Sequence, residues 1–270
     1  MTIPKDYRPL GCRECAGGAG LDFEFTMALQ PIVNTRLKTV FAQEALVRGI
    51  DNQSAGQVFK NVNDGNRYRF DQACRVKAIE LAAQLKVTSL LSINFMPNAV
   101  YRPELCIRAT LEAADTYKFP VEQIIFEITE GEKIDDVPHL QAIIRHYQER
   151  GFKTALDDFG AGYAGLNLLA DLQTDLIKLD MALIRDIDKV KSRRAIVRGI
   201  VGVCRDLDIE VIAEGVETRA ELTALEDLGI ELFQGYLLAR PAFRAVAALT
   251  WPEPRVAAVI APAPEGNPRR

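Results

Sequence analysis

Two adjacent acidic residues, Asp157 and Asp158, end a short apolar run near the middle of the chain. A loop that contains glycine follows them, and a second apolar run then carries Lys178. This order predicts a strand, an acid pair at its end, a loop and another strand. Neighbouring carboxylates repel each other and need a positive charge beside them, which a divalent metal ion would supply. The alternative for this segment alone is one aspartate that caps a helix beside a second, solvated aspartate.

Polar side chains also stand at the ends of other predicted strands. They are Glu44, Asn94, Glu127, Glu214 and Gln234. For Glu44 alone, the commoner interpretation is a solvated residue on the outer face of a strand, paired with Arg48 four positions later.

The elements that carry these residues alternate between strand-like and helix-like patterns. Roughly eight strand-like runs alternate with helices, which predicts an α/β fold of the TIM type, a (β/α)8 barrel. The first two runs, 23–33 and 39–49, are joined by a turn without a helix, so one strand near the N-terminus is expected to be antiparallel. Predicted helices include 54–63, 68–85, about 104–117, one that Gly151 closes, and a long one at 191–208. The inward face predicted for the long helix consists of Ile196, Ile200, Val203 and Leu207.

The amino-acid composition limits the classes of protein to which the chain can belong. The 270 residues are 48% apolar and 26% charged, which is typical of a soluble globular protein. A net charge of −4, with scattered basic residues, argues against a nucleic acid polymer as partner. No run is long and apolar enough to span a membrane and no signal peptide is evident, so we expect a cytoplasmic protein without membrane contact.

The predicted domain organisation is an arm at 1–22, a barrel at 23–250 and a Pro- and Ala-rich, disordered tail at 251–270. The chain has five cysteines, and this odd number favours reduced thiols over a disulfide framework. Cys12 and Cys15 form a C-x-x-C in the arm, for which a metal or redox role and a plain arm both remain open.

In a TIM-type barrel the ends of the strands meet at one mouth, so the five carboxylates would converge there around Lys178. They cannot all ionise without further positive charge, and oxygen ligands favour two Mg²⁺ or Mn²⁺ ions. Two such ions about 3.5 to 4 Å apart are suited to hydrolysis of a phosphodiester. The alternative is a barrel with ordinary salt bridges at its rim.

Eight motifs in order carry a resemblance to a known family. They are QPIV at Gln30, EALVR at Glu44, INF at Asn94, FEITE at Glu127, DDFGAGYAGL at Asp157, IKLD at Lys178, AEGVE at Glu214 and QGYLLARP at Gln234. In these motifs, from about Phe25 to Pro241, the chain resembles the EAL-domain phosphodiesterases, which hydrolyse the bacterial messenger cyclic di-GMP. It differs from the common family pattern at Leu29, Ala161 and Ala164, without loss of a ligand.

The resemblance implies roles for individual residues. The implied metal ligands are Glu44, Asn94, Glu127, Asp157, Asp158 and Glu214. The implied catalytic residues are Glu44, Lys178, Glu214, Gln234 and Glu130, with Lys178 holding the attacking water and a phosphate oxygen. Gln234 would help to place the second metal's water, and Glu130 would hold the loop from Phe159 to Leu166, which in this family is linked to dimer contacts. The implied substrate contacts are Gln30, Arg48, Asp158 and Gln234.

The expected function is therefore a phosphodiesterase, acting as a homodimer, that opens cyclic di-GMP to linear 5′-pGpG by attack of a metal-activated hydroxide. Ca²⁺ is expected to occupy the site and inhibit. The alternatives are a catalytically idle receptor for the same ligand and an unrelated two-metal barrel enzyme acting on another phosphate ester.

Overall fold

The computed structural model describes residues 20–97, 100, 103–129, 136–161 and 166–252. Several predictions lie outside these residues. They concern most of the arm with Cys12 and Cys15, the role of Glu130, part of the loop after Asp158, and the tail beyond residue 252.

Eight strands close into a barrel, and a short ninth strand pairs with the first strand at Ala28 and Leu29. The strands are β1 Phe25–Asn34, β2 Thr39–Gly49, β3 Leu90–Phe95, β4 Ile124–Thr129, β5 Lys153–Phe159, β6 Leu176–Leu179, β7 Glu210–Ala213, β8 Leu232–Phe233 and β9 Ala242–Phe243. Strands β2 to β8 pair in parallel, whereas β1 is antiparallel to both β2 and β8. The predicted TIM-type barrel with one antiparallel strand near the N-terminus is confirmed.

Helices cover the outside of the barrel. They are α1 Ala55–Phe59, α2 Arg67–Gln84, α3 Pro103–Cys106, α4 Arg108–Tyr117, α5 Val137–Gln148, α6 Leu166–Asp171, α7 Met181–Ile184, α8 Lys191–Asp206 and α9 Arg219–Glu226. α1 is shorter than predicted, and the helix expected at about 104–117 is interrupted at Ile107. As expected, Gly151 ends α5: its φ is +89°, and the next amide, of Phe152, donates to the carbonyl of Tyr147 at 3.2 Å. No helix in the described ranges is long and apolar enough to cross a membrane.

The inward face predicted for the long helix, α8, is confirmed at Ile200 and wrong at its other three positions. Ile196, Val203 and Leu207 are 51%, 39% and 45% exposed. Besides Ile200, the buried positions are Val197, Val201 and Cys204. This helix carries two overlapping apolar stripes displaced by one residue. The helical period of 3.6 residues does not show which of the two stripes faces inward. The packing of the helix against the barrel decides it.

The interior of the barrel has two layers, defined by residues two positions apart on the same strands. The apolar layer consists of Ile32, Ala42, Ile125, Ala155, Leu176, Ile212 and Leu232. The next inward-facing positions form the polar layer, Gln30, Glu44, Glu127, Asp157, Lys178, Glu214 and Gln234. Side chains alternate along a strand, so every second residue faces the interior. Successive inward residues of the same strands therefore form the packed base and then the polar mouth of the barrel.

Candidate active site

Lys178 lies at the centre of the polar layer and is only 1% exposed. Its Nζ lies 2.7 Å from Glu214 Oε1, 2.9 Å from Glu127 Oε2, 3.1 Å from Asp157 Oδ1 and 3.6 Å from Glu44 Oε2. Three of these carboxylates lie on different strands and Glu214 directly follows a fourth, β7, so the closure of the barrel brings them together. One ammonium group therefore faces four carboxylates in a site that excludes most water.

The charge imbalance is reflected in the pKa values of the buried groups. Burial alone would lower the pKa of Lys178, but the surrounding carboxylates outweigh it and raise the pKa well above its usual value. Burial raises the pKa of Glu127 and of Glu214 well above the usual value, because Lys178 compensates only part of the desolvation and neighbouring carboxylates repel. The site thus holds Lys178 as a cation, while the protein alone cannot fully stabilise the surrounding negative charge.

The pKa of Glu44 shifts in the other direction, because two side-chain amides donate hydrogen bonds to its carboxylate. Asn94 Nδ2 donates to Glu44 Oε1 at 3.0 Å, and Gln234 Nε2 donates to Oε2 at 2.7 Å. Burial raises the pKa of Glu44, but Lys178 and these two amides outweigh it, and the net pKa lies below the usual value. Glu44 is 6% exposed, so the interpretation of this residue as a solvated partner of Arg48 is wrong.

Asp158 stands at an irregular point of β5. Its φ is +57°, in the left-handed region that L-residues seldom adopt, and the β5–β6 register shifts between Leu156 and Phe159. This conformation lets two consecutive carboxyl groups line the barrel mouth, where a regular strand would point them to opposite faces. Burial raises the pKa of Asp158 to about 6, with repulsion from Asp157 and Asp180 adding to the effect.

Ser92 is a site residue that the sequence reasoning missed. Its Oγ donates to Glu127 Oε1 at 2.5 Å, and its side chain is fully buried. The available signal was its position two residues before Asn94 on the same strand, which places both on the inner face.

The two remaining predicted substrate residues differ in position. Gln30 lies at the mouth, and its Nε2 donates to the carbonyl of Ala239 at 3.1 Å. Arg48 lines neither cavity described below, and its Nη1 donates to the carbonyl of Val47 at 2.7 Å. Glu130 lies outside the described residues.

Two cavities meet at Glu44, Asp157 and Asp158. One, of about 450 Å³, is mainly apolar, and its other lining residues include Met27, Leu46, Phe59, Phe70 and Cys74. The other, of about 320 Å³, is more polar, and its other lining residues include Gln30, Lys178, Asp180, Glu214 and Tyr236. The carboxylates therefore lie where an apolar and a polar part of a ligand could meet.

The donor set fits divalent cations. Glu44, Glu127 and Asp157 form one group of carboxylates, and Asp157, Asp158 and Glu214 form another, with the ligand atoms of each group within 4.8 Å of one another. Asp157 belongs to both groups, as a residue shared by two ions would. All these atoms are carboxylate oxygens, which suit Mg²⁺ or Mn²⁺ better than Zn²⁺. The side-chain amide of Asn94 lies beside the first group, where its Nδ2 donates to Glu44.

Two curated relatives illustrate the sequence similarity. The blue light- and temperature-regulated antirepressor BluF of Escherichia coli K12 is 33% identical over 227 residues, or 84% of this chain and 56% of BluF. The cyclic di-GMP phosphodiesterase PdeB of Shewanella oneidensis is 32% identical over 163 residues, or 60% of this chain and 19% of PdeB. The chain thus spans about half of the first relative and a smaller part of the second.

Solved structures agree more closely. A standalone versatile EAL protein from Vibrio cholerae O395, solved with cyclic di-GMP bound, is 55% identical with a TM-score of 0.84, covering 86% of this chain and 98% of that one. Klebsiella pneumoniae BlrP1, solved with cyclic di-GMP and either manganese or calcium, is 37% identical with a TM-score of 0.81, covering 86% of this chain and 59% of that one. The EAL domain profile itself matches residues 21–241, which is most of the chain. This protein is therefore a member of the EAL domain family.

Proposed function

We propose that this protein is a phosphodiesterase that hydrolyses cyclic di-GMP to linear 5′-pGpG with two bound Mg²⁺ or Mn²⁺ ions. The observation that carries the proposal is the position of Asp157 in both carboxylate groups around Lys178. Relatives named as cyclic di-GMP phosphodiesterases and a cyclic di-GMP complex of a 55% identical protein support the choice of substrate.

The chain would hold one ion with Glu44, Asn94, Glu127 and Asp157, and the other with Asp157, Asp158 and Glu214. When bound, the two ions supply Lewis acidity that activates a water molecule and neutralises charge on the phosphodiester. Ser92 and Gln234 would orient these ligands, since each donates a hydrogen bond to one of the carboxylates.

Lys178 would hold the reacting oxygens. Its raised pKa keeps the ammonium group protonated, so it would donate to the attacking water and to a phosphate oxygen as negative charge develops. The carboxylates around it fix its position before substrate binds, which reduces the reorganisation needed during the reaction.

The two cavities would receive the parts of the dinucleotide on either side of the scissile phosphodiester. Gln30 in the polar cavity and Asp158 at the junction would contact the ligand. Arg48, whose Nη1 donates to the Val47 carbonyl, would contact the ligand through its other guanidinium N–H groups.

A catalytically idle receptor for cyclic di-GMP is the second candidate. It is favoured by the similarity to BluF, which is named an antirepressor rather than an enzyme. Against it, this chain carries every carboxylate that the proposed metal site needs.

The test is chromatography of cyclic di-GMP after incubation with the purified protein in Mg²⁺, Mn²⁺ or excess EDTA. We expect linear 5′-pGpG with either metal and none with EDTA. Glu214→Gln should abolish product formation. Glu210→Gln, a matched change at an exposed position at the opposite end of β7, should not.

Calorimetric binding of cyclic di-GMP separates the alternatives. Binding without product in any metal would favour the idle receptor. If the protein neither binds cyclic di-GMP nor forms product, both candidates are excluded.

The homodimer remains a prediction, which light scattering with and without cyclic di-GMP would test.

A further inference from the structure

A fully buried ion pair lies on helix α2, next to the candidate site. Arg75 and Asp71 stand one turn apart on α2, with Arg75 Nη2 2.6 Å from Asp71 Oδ2. Their side chains are 0% and 1% exposed. Asp71 also lines the apolar cavity, together with Asn94 and Met96, but the proposed chemistry assigns no role to either residue of the pair.

The second oxygen of Asp71 ties α2 to the end of β3. Asp71 Oδ1 accepts a hydrogen bond of 2.9 Å from the backbone amide of Met96. Met96 follows the last residue of β3 and comes two positions after Asn94, whose side chain donates to Glu44. The carboxylate of Asp71 therefore fixes the backbone from which the Asn94 side chain projects into the site.

Arg75 packs against the outer faces of two strands that carry site residues. Its guanidinium carbon lies 5.4 Å from the ring centre of Phe95 and 5.1 Å from that of Phe126. Phe95 follows Asn94 and Phe126 precedes Glu127, so the alternation of the strands puts the rings outside and the site residues inside. Arg75 Nη1 also donates to Tyr147 Oη on α5 at 3.1 Å. Arg75 is thus held in place, and it in turn holds Asp71.

Stability alone does not account for this pair. Apolar side chains of similar volume usually stabilise a core as well as, or better than, a buried ion pair does. A buried carboxylate whose other oxygen binds a backbone amide does fix one conformation of that backbone.

We propose that Asp71 is a positioning residue that, held by Arg75, orients Asn94 for metal binding through the Met96 amide. The inference rests on the proposed function, because it assigns Asn94 to the metal site. It predicts that loss of the acceptor at position 71 weakens metal binding even when no charge is left buried and unpaired.

The experiment compares two double variants, Asp71→Leu/Arg75→Met and Asp71→Asn/Arg75→Met. Both replace the ion pair by neutral side chains of similar size, but only Asn keeps an oxygen that can accept from Met96. Calorimetry with Mn²⁺ alone should show binding weakened about 10- to 100-fold in the Leu variant, as for other groups that orient metal ligands. The Asn variant should restore affinity to within about threefold of the unmodified protein.

A control separates positioning from stability. Leu225→Ala removes a fully buried side chain of α9 and should lower the melting temperature without weakening Mn²⁺ binding. Equal Mn²⁺ affinity in the Leu and Asn variants would overturn the inference while leaving the proposed function intact. Absence of Mn²⁺ binding by the unmodified protein would overturn both.

A measurement on the unmodified protein covers the case in which the Leu variant does not fold. Hydrogen exchange of the Met96 amide in EDTA should be as slow as that of amides within β3. Exchange as fast as in an unstructured peptide would show that Asp71 does not hold this backbone.

Discussion

The apolar and polar layers of the barrel interior are built by the same strands, yet they have opposite energetic roles. Ile212 and Glu214 illustrate the difference, since they lie two residues apart and face the same interior. Ile212 is 1% exposed and packs among aliphatic side chains, which stabilises the barrel. Glu214 is held among other carboxylates, and burial raises its pKa. A barrel can thus concentrate unfavourable charge at its mouth because the layer beneath provides the packing.

The largest expected effect is on the polar layer. Glu44→Ala should lower hydrolysis by more than about 100-fold, beyond the usual effect of removing a residue that merely orients a ligand. The fold should persist, because the packed layer below is unchanged. Turnover and circular dichroism of the purified variant provide the measurement. Undiminished turnover by a folded Glu44→Ala protein would contradict the assignment of Glu44 to the site.

The next effect tests whether the polar layer discriminates between ions. Ca²⁺ accepts oxygen ligands at about 2.3 to 2.6 Å, against about 2.0 to 2.1 Å for Mg²⁺, and is the weaker Lewis acid. It should therefore bind and support ligand binding while stopping cleavage, and excess Mn²⁺ should restore activity. BlrP1 has been solved with calcium and cyclic di-GMP together, which shows that both fit in that relative. The measurement is turnover across a Ca²⁺ titration at fixed Mg²⁺, and full activity with Ca²⁺ alone would exclude the proposed mechanism.

A substitution in the apolar layer should have the opposite effect, lowering stability while leaving activity largely unchanged. Ile212→Ala should reduce the free energy of unfolding by about 2 to 5 kcal/mol, because it leaves a cavity in a packed layer. The activity of the folded fraction should be largely kept. Chemical denaturation in EDTA measures the first quantity and turnover measures the second. A loss of activity without a loss of stability would break the division between the layers.

Glu214→Gln should act in the opposite direction on stability in EDTA. Because the folded-state pKa of Glu214 is raised, its contribution to stability is fully present below the unfolded-state pKa and is lost as pH rises through the folded-state pKa. Glutamine cannot ionise, so the variant should be more stable than the unmodified protein at pH 8. Thermal melts of the two proteins, with Glu210→Gln as the control, check this. A lower melting temperature for Glu214→Gln would mean that its ion pair with Lys178 outweighs the repulsion.

The smallest effect concerns Asp158 at the rim of the polar layer. Its pKa is raised from 3.8 to about 6, so its contribution to stability should be lost between about pH 4 and pH 6 as the pH rises. Asp158→Asn tolerates the same left-handed backbone and does not ionise. The melting temperature in EDTA should therefore fall less with rising pH in this variant than in the unmodified protein. Parallel curves for the two proteins would exclude a raised pKa at this position.

The sequence by itself determined the barrel, its antiparallel first pair and most of the polar layer. These follow from local features: apolar runs of strand length, the alternation of side chains, and polar residues such as Asp157 and Lys178 at the ends of runs. The eight motifs also identified the EAL family, because short motifs and their order along the chain can be recognised without a structure.

Only the tertiary structure decided matters that depend on contacts between distant segments. Glu44 and Gln234 are 190 residues apart, and their hydrogen bond exists because β1 closes the barrel between β2 and β8. Whether a strand residue faces solvent or the interior depends on the strands beside it, which is why Glu44 alone favoured the wrong interpretation. The same reason explains the inward face of α8, the role of Ser92 and the contact of Asp71 with Met96. Each of these features depends on where a second helix or strand lies, and the local sequence pattern does not contain that information.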